Sequence, residues 1–239
     1  MNTWHGYKCE EFEFENAYAI VVFPNVKPNG KLALKTEYFE DFPKMQIDLL
    51  DKGYHLAYIK NMNRWGRDED LKRKADFVDF VSTKYNLSKK CVPVGLSCGG
   101  LFAIKFAGNY PDMVSVLSLD APVVNILSCP CSMGANKNQP IPRSEMYDAL
   151  GLDDVSILSY RKHPLDYIPV LVENKIPVVM FYGDVDDVVP YNENGILVEK
   201  AYKNANLPIQ IHVKHGCGHH PHCLEDNTEV LKFIEKYDV

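Results

Sequence analysis

Cys91-Val92-Pro93-Val94-Gly95-Leu96-Ser97-Cys98-Gly99-Gly100, running directly into Leu101-Phe102-Ala103-Ile104-Lys105-Phe106-Ala107, is the stretch that decides the fold. An apolar, β-capable segment enters Gly95-Leu96-Ser97-Cys98-Gly99, and a helix-forming segment follows at once. Strand, sharp turn and helix with a serine at the apex is the pattern of a nucleophile elbow. A side chain at Gly95 or Gly99 is expected to crowd the neighbouring chain, and Ser97 to sit in a strained backbone conformation. The turn would lift the Ser97 hydroxyl above the strand end, where N–H groups of the helix N-terminus can hold a developing oxyanion. The pentapeptide alone also fits a glycine-rich turn with an incidental serine. An acid and a histidine at matching strand ends would decide between the two.

Outward from this run, strand and helix patterns alternate. Upstream, Tyr7–Phe14 ends in polar–apolar alternation, and Ala17–Phe23 is a continuous apolar run suited to a buried strand. Pro24–Gly30 is a loop by composition, and Glu40–Lys52 carries a helical apolar stripe closed by Gly53. His55–Ile59 reads as a strand and Asp68–Tyr85 as an amphipathic helix. Downstream, strands are predicted at Met113–Leu119, Ile176–Tyr182 and Pro208–Val213, with helices at Leu165–Asn174, Tyr191–Asn204 and Glu225–Tyr237. The fold class is therefore α/β: a mostly parallel, twisted sheet with helices on both faces, in a single domain spanning 1–239. Regular alternation breaks from about 123 to 161, where a small cap or lid insertion is expected.

Two segments supply the missing groups. Gly183-Asp184-Val185-Asp186-Asp187-Val188-Val189-Pro190 follows one predicted strand, and Lys214-His215-Gly216-Cys217-Gly218-His219-His220-Pro221-His222 follows the last. Both lie at C-terminal strand ends, on the sheet edge that carries Ser97, where open α/β sheets place their sites.

Gly95-Leu96-Ser97-Cys98-Gly99, Gly183-x-x-Asp186-x-x-Val189-Pro190 and Gly216-x-Gly218-His219, in this order, resemble the three signature segments of the α/β-hydrolase superfamily of serine esterases and peptidases. The narrower likeness is to compact bacterial carboxylesterase-like hydrolases. The resemblance implies Ser97 as nucleophile, His219 as general base and Asp186 as the acid that orients the imidazole. Asp184, Asp187 and Asp120 compete for the acid position, and His220 for the base. It also implies the Cys98 N–H as one oxyanion donor and a second from the loop after the Tyr18–Phe23 strand. That loop lacks a His-Gly-Gly motif, and Pro24 and Pro28 have no N–H, so Asn25 is expected there, with Val26 next. Trp65 and Tyr38 are expected to line a substrate pocket.

The expected reaction is cleavage of a small carboxylic ester, carbohydrate or phenolic esters included, through an acyl-enzyme, with no cofactor and no metal. A peptidase or acyltransferase would use the same groups. A non-catalytic binding module is the rival from another class, and Cys217-Gly218-His219-His220-Pro221-His222-Cys223 could instead bind zinc. Cys98, one position past the apex, is expected to turn inward as a small apolar residue.

A formal net charge of −6 with scattered Lys and Arg argues against a nucleic-acid or anionic-membrane surface. No apolar run approaches membrane-spanning length, and Met1–Gly6 has no secretory pattern, so a cytoplasmic enzyme is expected. Seven cysteines, an odd number, fit reduced thiols better than a disulfide framework. Oligomeric state is not legible.

Overall fold

The computed structural model describes residues 2–135 and 139–239. Among them, nine strands form one sheet: β1 (Asn2–Trp4), β2 (Tyr7–Phe14), β3 (Ala17–Val22), β4 (Leu32–Lys35), β5 (His55–Ile59), β6 (Cys91–Leu96), β7 (Leu117–Asp120), β8 (Val178–Gly183) and β9 (Ile209–Lys214). Their spatial order is β1-β2-β3-β5-β4-β6-β7-β8-β9. The β1-β2, β2-β3 and β3-β5 pairs are antiparallel; every later pair is parallel.

The helices are α1 (Lys44–Asp51), α2 (Asp68–Tyr85), α3 (Cys98–Asn109), α4 (Arg143–Leu150), α5 (Ile168–Glu173), α6 (Gly195–Asn204) and α7 (Thr228–Tyr237). Strand side chains alternate between two cores. Ala19 and Val21 of β3 face Phe77 of α2, Phe102 of α3, Leu171 of α5 and Val198 of α6. Ile20 and Val22 face the opposite core, with Met45 and Leu49 of α1 and Val230 and Ile234 of α7. Each such fully buried side chain contributes about 1.5–3 kcal/mol relative to exposure. α2 is typical of how the sequence sets helix limits. Asp68, Glu69 and Asp70 fill its first turn and Lys84 its last, complementing the helix dipole, and Asn86 ends it in the left-handed region at φ 53°.

One element departs from the sequence reading with consequences for the site. Leu32–Lys35 is a four-residue strand wedged between β5 and β6, and all four residues are buried. Its brevity leaves no periodicity to read. β4, rather than β3, is therefore the parallel neighbour of the Ser97 strand. β3 runs antiparallel to β5, pairing Val22 with Leu56 and Ala19 with Ile59, so its C-terminal end lies at the edge away from Ser97. α1 also starts four residues later than expected, after Pro43, because Tyr38 and Phe42 both take positive φ and turn the chain first.

The segment between β7 and β8 carries α4 and packs over the carboxyl edge of the sheet. Met146 and Ile157 join Trp65, Cys98, Leu101 and Val189 in a third apolar cluster. Positions 136–138 of the expected 123–161 insertion lie outside the described residues. Among the described residues, no helix is long and apolar enough to cross a membrane.

Candidate active site

Ser97 follows directly on β6 and precedes α3 with φ 52° and ψ −119°, a strained conformation for a residue with a side chain. A Cβ on Gly95 would stand 2.4 Å from the Gly99 carbonyl oxygen, so only glycine lets the turn close. A Cβ on Gly99 would meet Thr36 Oγ1 at 3.3 Å, a tight fit against a side chain rather than a backbone clash. Backbone hydrogen bonds tie the apex to β7 and the segment after it: Ser97 N–H donates to Asp120 O at 2.9 Å, and Val123 N–H donates to Ser97 O at 3.1 Å.

His219 and Asp186 reach Ser97 from the loops after β9 and β8. His219 Nε2 lies 3.0 Å from Ser97 Oγ, and its Nδ1 lies 2.8 Å from Asp186 Oδ2. A carboxylate can only accept, so Nδ1 carries the proton and Nε2 is left to accept from the serine hydroxyl. Asp186 Oδ1 accepts the Val188 and Val189 N–H groups, both at 2.9 Å, which fixes the carboxylate plane. The two loops fit closely: a Cβ on Gly183 would lie 2.2 Å from the Cys217 carbonyl oxygen.

The rival acids have other places. Asp184 bonds the exposed His215 ring at 2.9 Å and Gly216 N–H at 2.7 Å, and these partners hold its carboxyl below the usual range. Asp187 is exposed. Asp120, at the end of β7, is buried and accepts from Lys214 Nζ at 2.9 Å and from Cys223 N–H at 2.5 Å, tying both ends of the histidine loop to the sheet. Burial alone would raise the Asp120 pKa, but His222, Lys214 and the Cys223 N–H outweigh it and hold the carboxyl low. His220 is exposed beside His219 and stacks on Phe42, with ring centroids 5.5 Å apart.

Cys98 is buried, and burial pushes its thiol up to about 11, so it stays protonated at neutral pH. Its N–H opens α3 beside the Ser97 hydroxyl. Asn25 is not near this point. Its amide Nδ2 donates to Gly6 O at 3.3 Å, at the end of β3 remote from Ser97, so the expected placement of a second oxyanion donor there is corrected. The loop that does flank the elbow follows β4: a Cβ on Gly99 would lie 3.4 Å from Glu37 Cβ, and Thr36 Oγ1 donates to Gly99 O at 2.7 Å. Tyr38, next in that loop, meets no acceptor for its N–H among the described residues.

A cavity of about 270 Å³ opens at Ser97 and His219, walled by Tyr38, Phe42, Trp65, Pro130 and Ile141 among others. Tyr38 and Trp65 both line it, as expected, but Trp65 is 1% exposed and its indole N–H donates to Glu145 Oε1 of α4 at 3.1 Å. Arg64, which the sequence did not single out, bonds the same carboxylate at 3.0 Å and donates to the Tyr38 hydroxyl at 3.3 Å. Its position in a polar loop gave no signal of this. The buried strand-end Asp120 did carry one, since an acid closing an apolar run needs a partner.

No protein-family model matches the chain. Among curated proteins, the mouse acylamino-acid-releasing enzyme is 27% identical over 126 residues, 52% of this chain and 17% of that protein. Among solved structures, the Pyrococcus horikoshii acylaminoacyl peptidase superposes with a TM-score of 0.69 at 14% identity, covering 89% of this chain and 37% of that one. A carboxylesterase from Lactobacillus plantarum gives a TM-score of 0.67 at 12% identity, covering 89% of this chain and 84% of that one. The chain thus spans about one-sixth of the curated relative it matches and little over a third of the peptidase structure.

Proposed function

We propose, on an α/β-hydrolase fold shared with these structures, that the chain is a serine hydrolase that cleaves small carboxylic esters through an acyl-enzyme. The observation that carries the reading is the Ser97 Oγ to His219 Nε2 approach of 3.0 Å, with Asp186 behind the imidazole at 2.8 Å, at the floor of the cavity. Ser97 Oγ attacks the acyl carbon as its proton passes to His219 Nε2. Asp186 keeps Nδ1 protonated and stabilises the imidazolium. The Cys98 and Tyr38 N–H groups receive the carbonyl oxygen as it becomes an oxyanion. Collapse breaks the acyl–oxygen bond, and the departing alkoxide takes the proton from His219. Water, deprotonated by the same imidazole, then attacks the acyl-serine and releases the acid. The α4 segment serves as a cap over the cavity, with Trp65 and Tyr38 as its wall. The limited volume and apolar lining favour a short acyl or aryl group over a long peptide.

A second reading, release of an N-acylated amino acid from a peptide, draws its support from the mouse relative and the P. horikoshii structure, both named for that chemistry. An acyltransferase would share the first half of the cycle. One panel separates them: p-nitrophenyl, acetylated-sugar and feruloyl esters beside N-acetylaminoacyl anilides, each with Ser97→Ala as control. The ester reading expects p-nitrophenyl acetate or butyrate turnover that falls at least about 10³-fold in Ser97→Ala. Faster turnover of the anilides would move the assignment to the peptidase. Wild-type rates equal to Ser97→Ala on every substrate would refute a serine hydrolase.

A further inference from the structure

The loop that brings in His219 brings in more imidazole than a proton relay uses. The ring centroids of His219, His220 and His222 form a nearly equilateral triangle with sides of 5.0, 4.8 and 5.0 Å. One ligand nitrogen from each ring lies within 4.8 Å of the others. His222 is the unexplained member. Its side chain is 0% exposed, and neither ring nitrogen has a hydrogen-bond partner among the described residues. Its Nδ1 lies 3.3 Å from Asp120 Oδ2 without the alignment of a hydrogen bond. A buried polar side chain left this way is unfavourable, so a group that supplies the missing partner would be well received.

We propose that His219, His220 and His222 form an inhibitory site for Zn²⁺, which occupies the nitrogen that would otherwise serve Ser97. Zinc takes imidazole nitrogens at about 2.0–2.1 Å in tetrahedral geometry, which sets the three ring centroids about 5 Å apart. The rings already stand at that separation. Rotation about their side-chain bonds has to bring the nitrogens from within 4.8 Å to about 3.3 Å of one another, the spacing tetrahedral zinc requires. The groups behind the rings also suit a metal. Imidazole ligands of zinc are commonly backed by a carboxylate at the other nitrogen, which fixes the ring and raises its basicity. Asp186 stands behind Nδ1 of His219 at 2.8 Å and Asp120 beside Nδ1 of His222 at 3.3 Å, leaving both Nε2 atoms for the ion. His220 closes the triangle from the solvent side and gives the ion its route in. The fourth position faces the cavity that all three rings line.

The thiols that a linear reading of Cys217–Cys223 would recruit are not in this group. Cys223 Sγ turns away to Phe42 O at 3.3 Å. Binding removes the Nε2 lone pair of His219 from the Ser97 hydroxyl, which then has no base. The binding half of the proposal stands apart from the hydrolase reading, whereas the inhibition half rests on it.

The test is calorimetric titration of the metal-free chain with ZnCl₂, for wild type, Ser97→Ala, His220→Gln and His222→Gln, with thermal melts to verify that each variant is folded. Ester hydrolysis is followed over the same zinc range and again after EDTA. The expected result is one zinc per chain at micromolar or tighter Kd, unchanged in Ser97→Ala and weakened at least about tenfold in His220→Gln and in a folded His222→Gln. Hydrolysis, normalised to each protein's own zinc-free rate, should fall with occupancy and return with the chelator. Affinity in folded His220→Gln equal to wild type would overturn the site and point to adventitious binding elsewhere. Saturation without loss of activity would overturn the inhibition. If no protein hydrolyses any ester without zinc, the hydrolase reading fails, and the binding data on Ser97→Ala still judge the site.

Discussion

Replacing Asp186 by asparagine tests the imidazole's orientation without disturbing the shape of the site. Val188 and Val189 N–H both donate to Oδ1 at 2.9 Å, and only an oxygen can accept them, so the asparagine must keep its carbonyl there. Its NH₂ then occupies the Oδ2 position, 2.8 Å from His219 Nδ1, and donates to it. His219 is driven into the tautomer with the proton on Nε2, facing a serine that needs an acceptor 3.0 Å away. Nothing else changes, because Asp186 is buried and the replacement has the same outline. The loss expected for a wrong tautomer is about 10⁴-fold in kcat, or about 5 kcal/mol of transition-state stabilisation. The assay is p-nitrophenyl ester hydrolysis at saturating substrate, beside a thermal melt and Asp186→Ala. The melt should move little for the asparagine and more for the alanine, which abandons two buried N–H donors. An Asp186→Asn rate within about tenfold of wild type would refute the assigned role.

Gly95→Ala places a methyl group 2.4 Å from the Gly99 carbonyl oxygen and should lower stability by about 3 kcal/mol, read as a fall in Tm or failure to accumulate soluble protein. A wild-type Tm would contradict the elbow geometry. Glu145→Ala removes the anchor shared by Trp65 and Arg64. The contact is partly exposed and worth about 1 kcal/mol, so KM should rise roughly fivefold with kcat nearly constant, and an unchanged KM would detach α4 from substrate binding. Burial pulls the pKa of His55 below its ordinary value, and its Nδ1 has no partner beside Phe23 and Tyr85. The unfolded chain therefore takes up a proton that the native ring refuses, and stability falls as pH drops below about 6.5. His163 and His212 act in the same direction. His55→Phe should lessen the loss in Tm between neutral pH and pH ~5, whereas an unchanged loss would show that His55 does not contribute.

Long runs with strong local constraints were legible in the sequence. The β6–Ser97–α3 run declares itself because glycine flanks the serine where a strand reverses into a helix, and at Gly95 only glycine lets the turn close. Asp186 and His219 could be picked from crowded neighbours because Gly183 and Gly218 punctuate their turns at the spacing of the segments they resemble. Leu32–Lys35 escaped because four apolar residues between loops have no period, and its strand character comes from the two neighbours that pair with it. Missing that strand put the expected second donor at Asn25, at the wrong edge, whereas the loop that flanks the elbow is Thr36–Tyr38. That Asp120 needs a partner was legible, but its pairing with Lys214 and His222 depends on contacts between β7 and the loop after β9, about a hundred residues apart, which no local pattern encodes. Trp65 was placed correctly at the cavity, yet its bond to Glu145 follows from the path of a segment with irregular composition.

The most direct test is intact-protein mass spectrometry after incubation with a fluorophosphonate or a slowly hydrolysed p-nitrophenyl ester, followed by peptide mapping. The account predicts one adduct per chain, on the peptide carrying Ser97, absent from Ser97→Ala and formed far more slowly by Asp186→Asn. No adduct on an active wild-type protein, or an adduct that persists in Ser97→Ala, would contradict it.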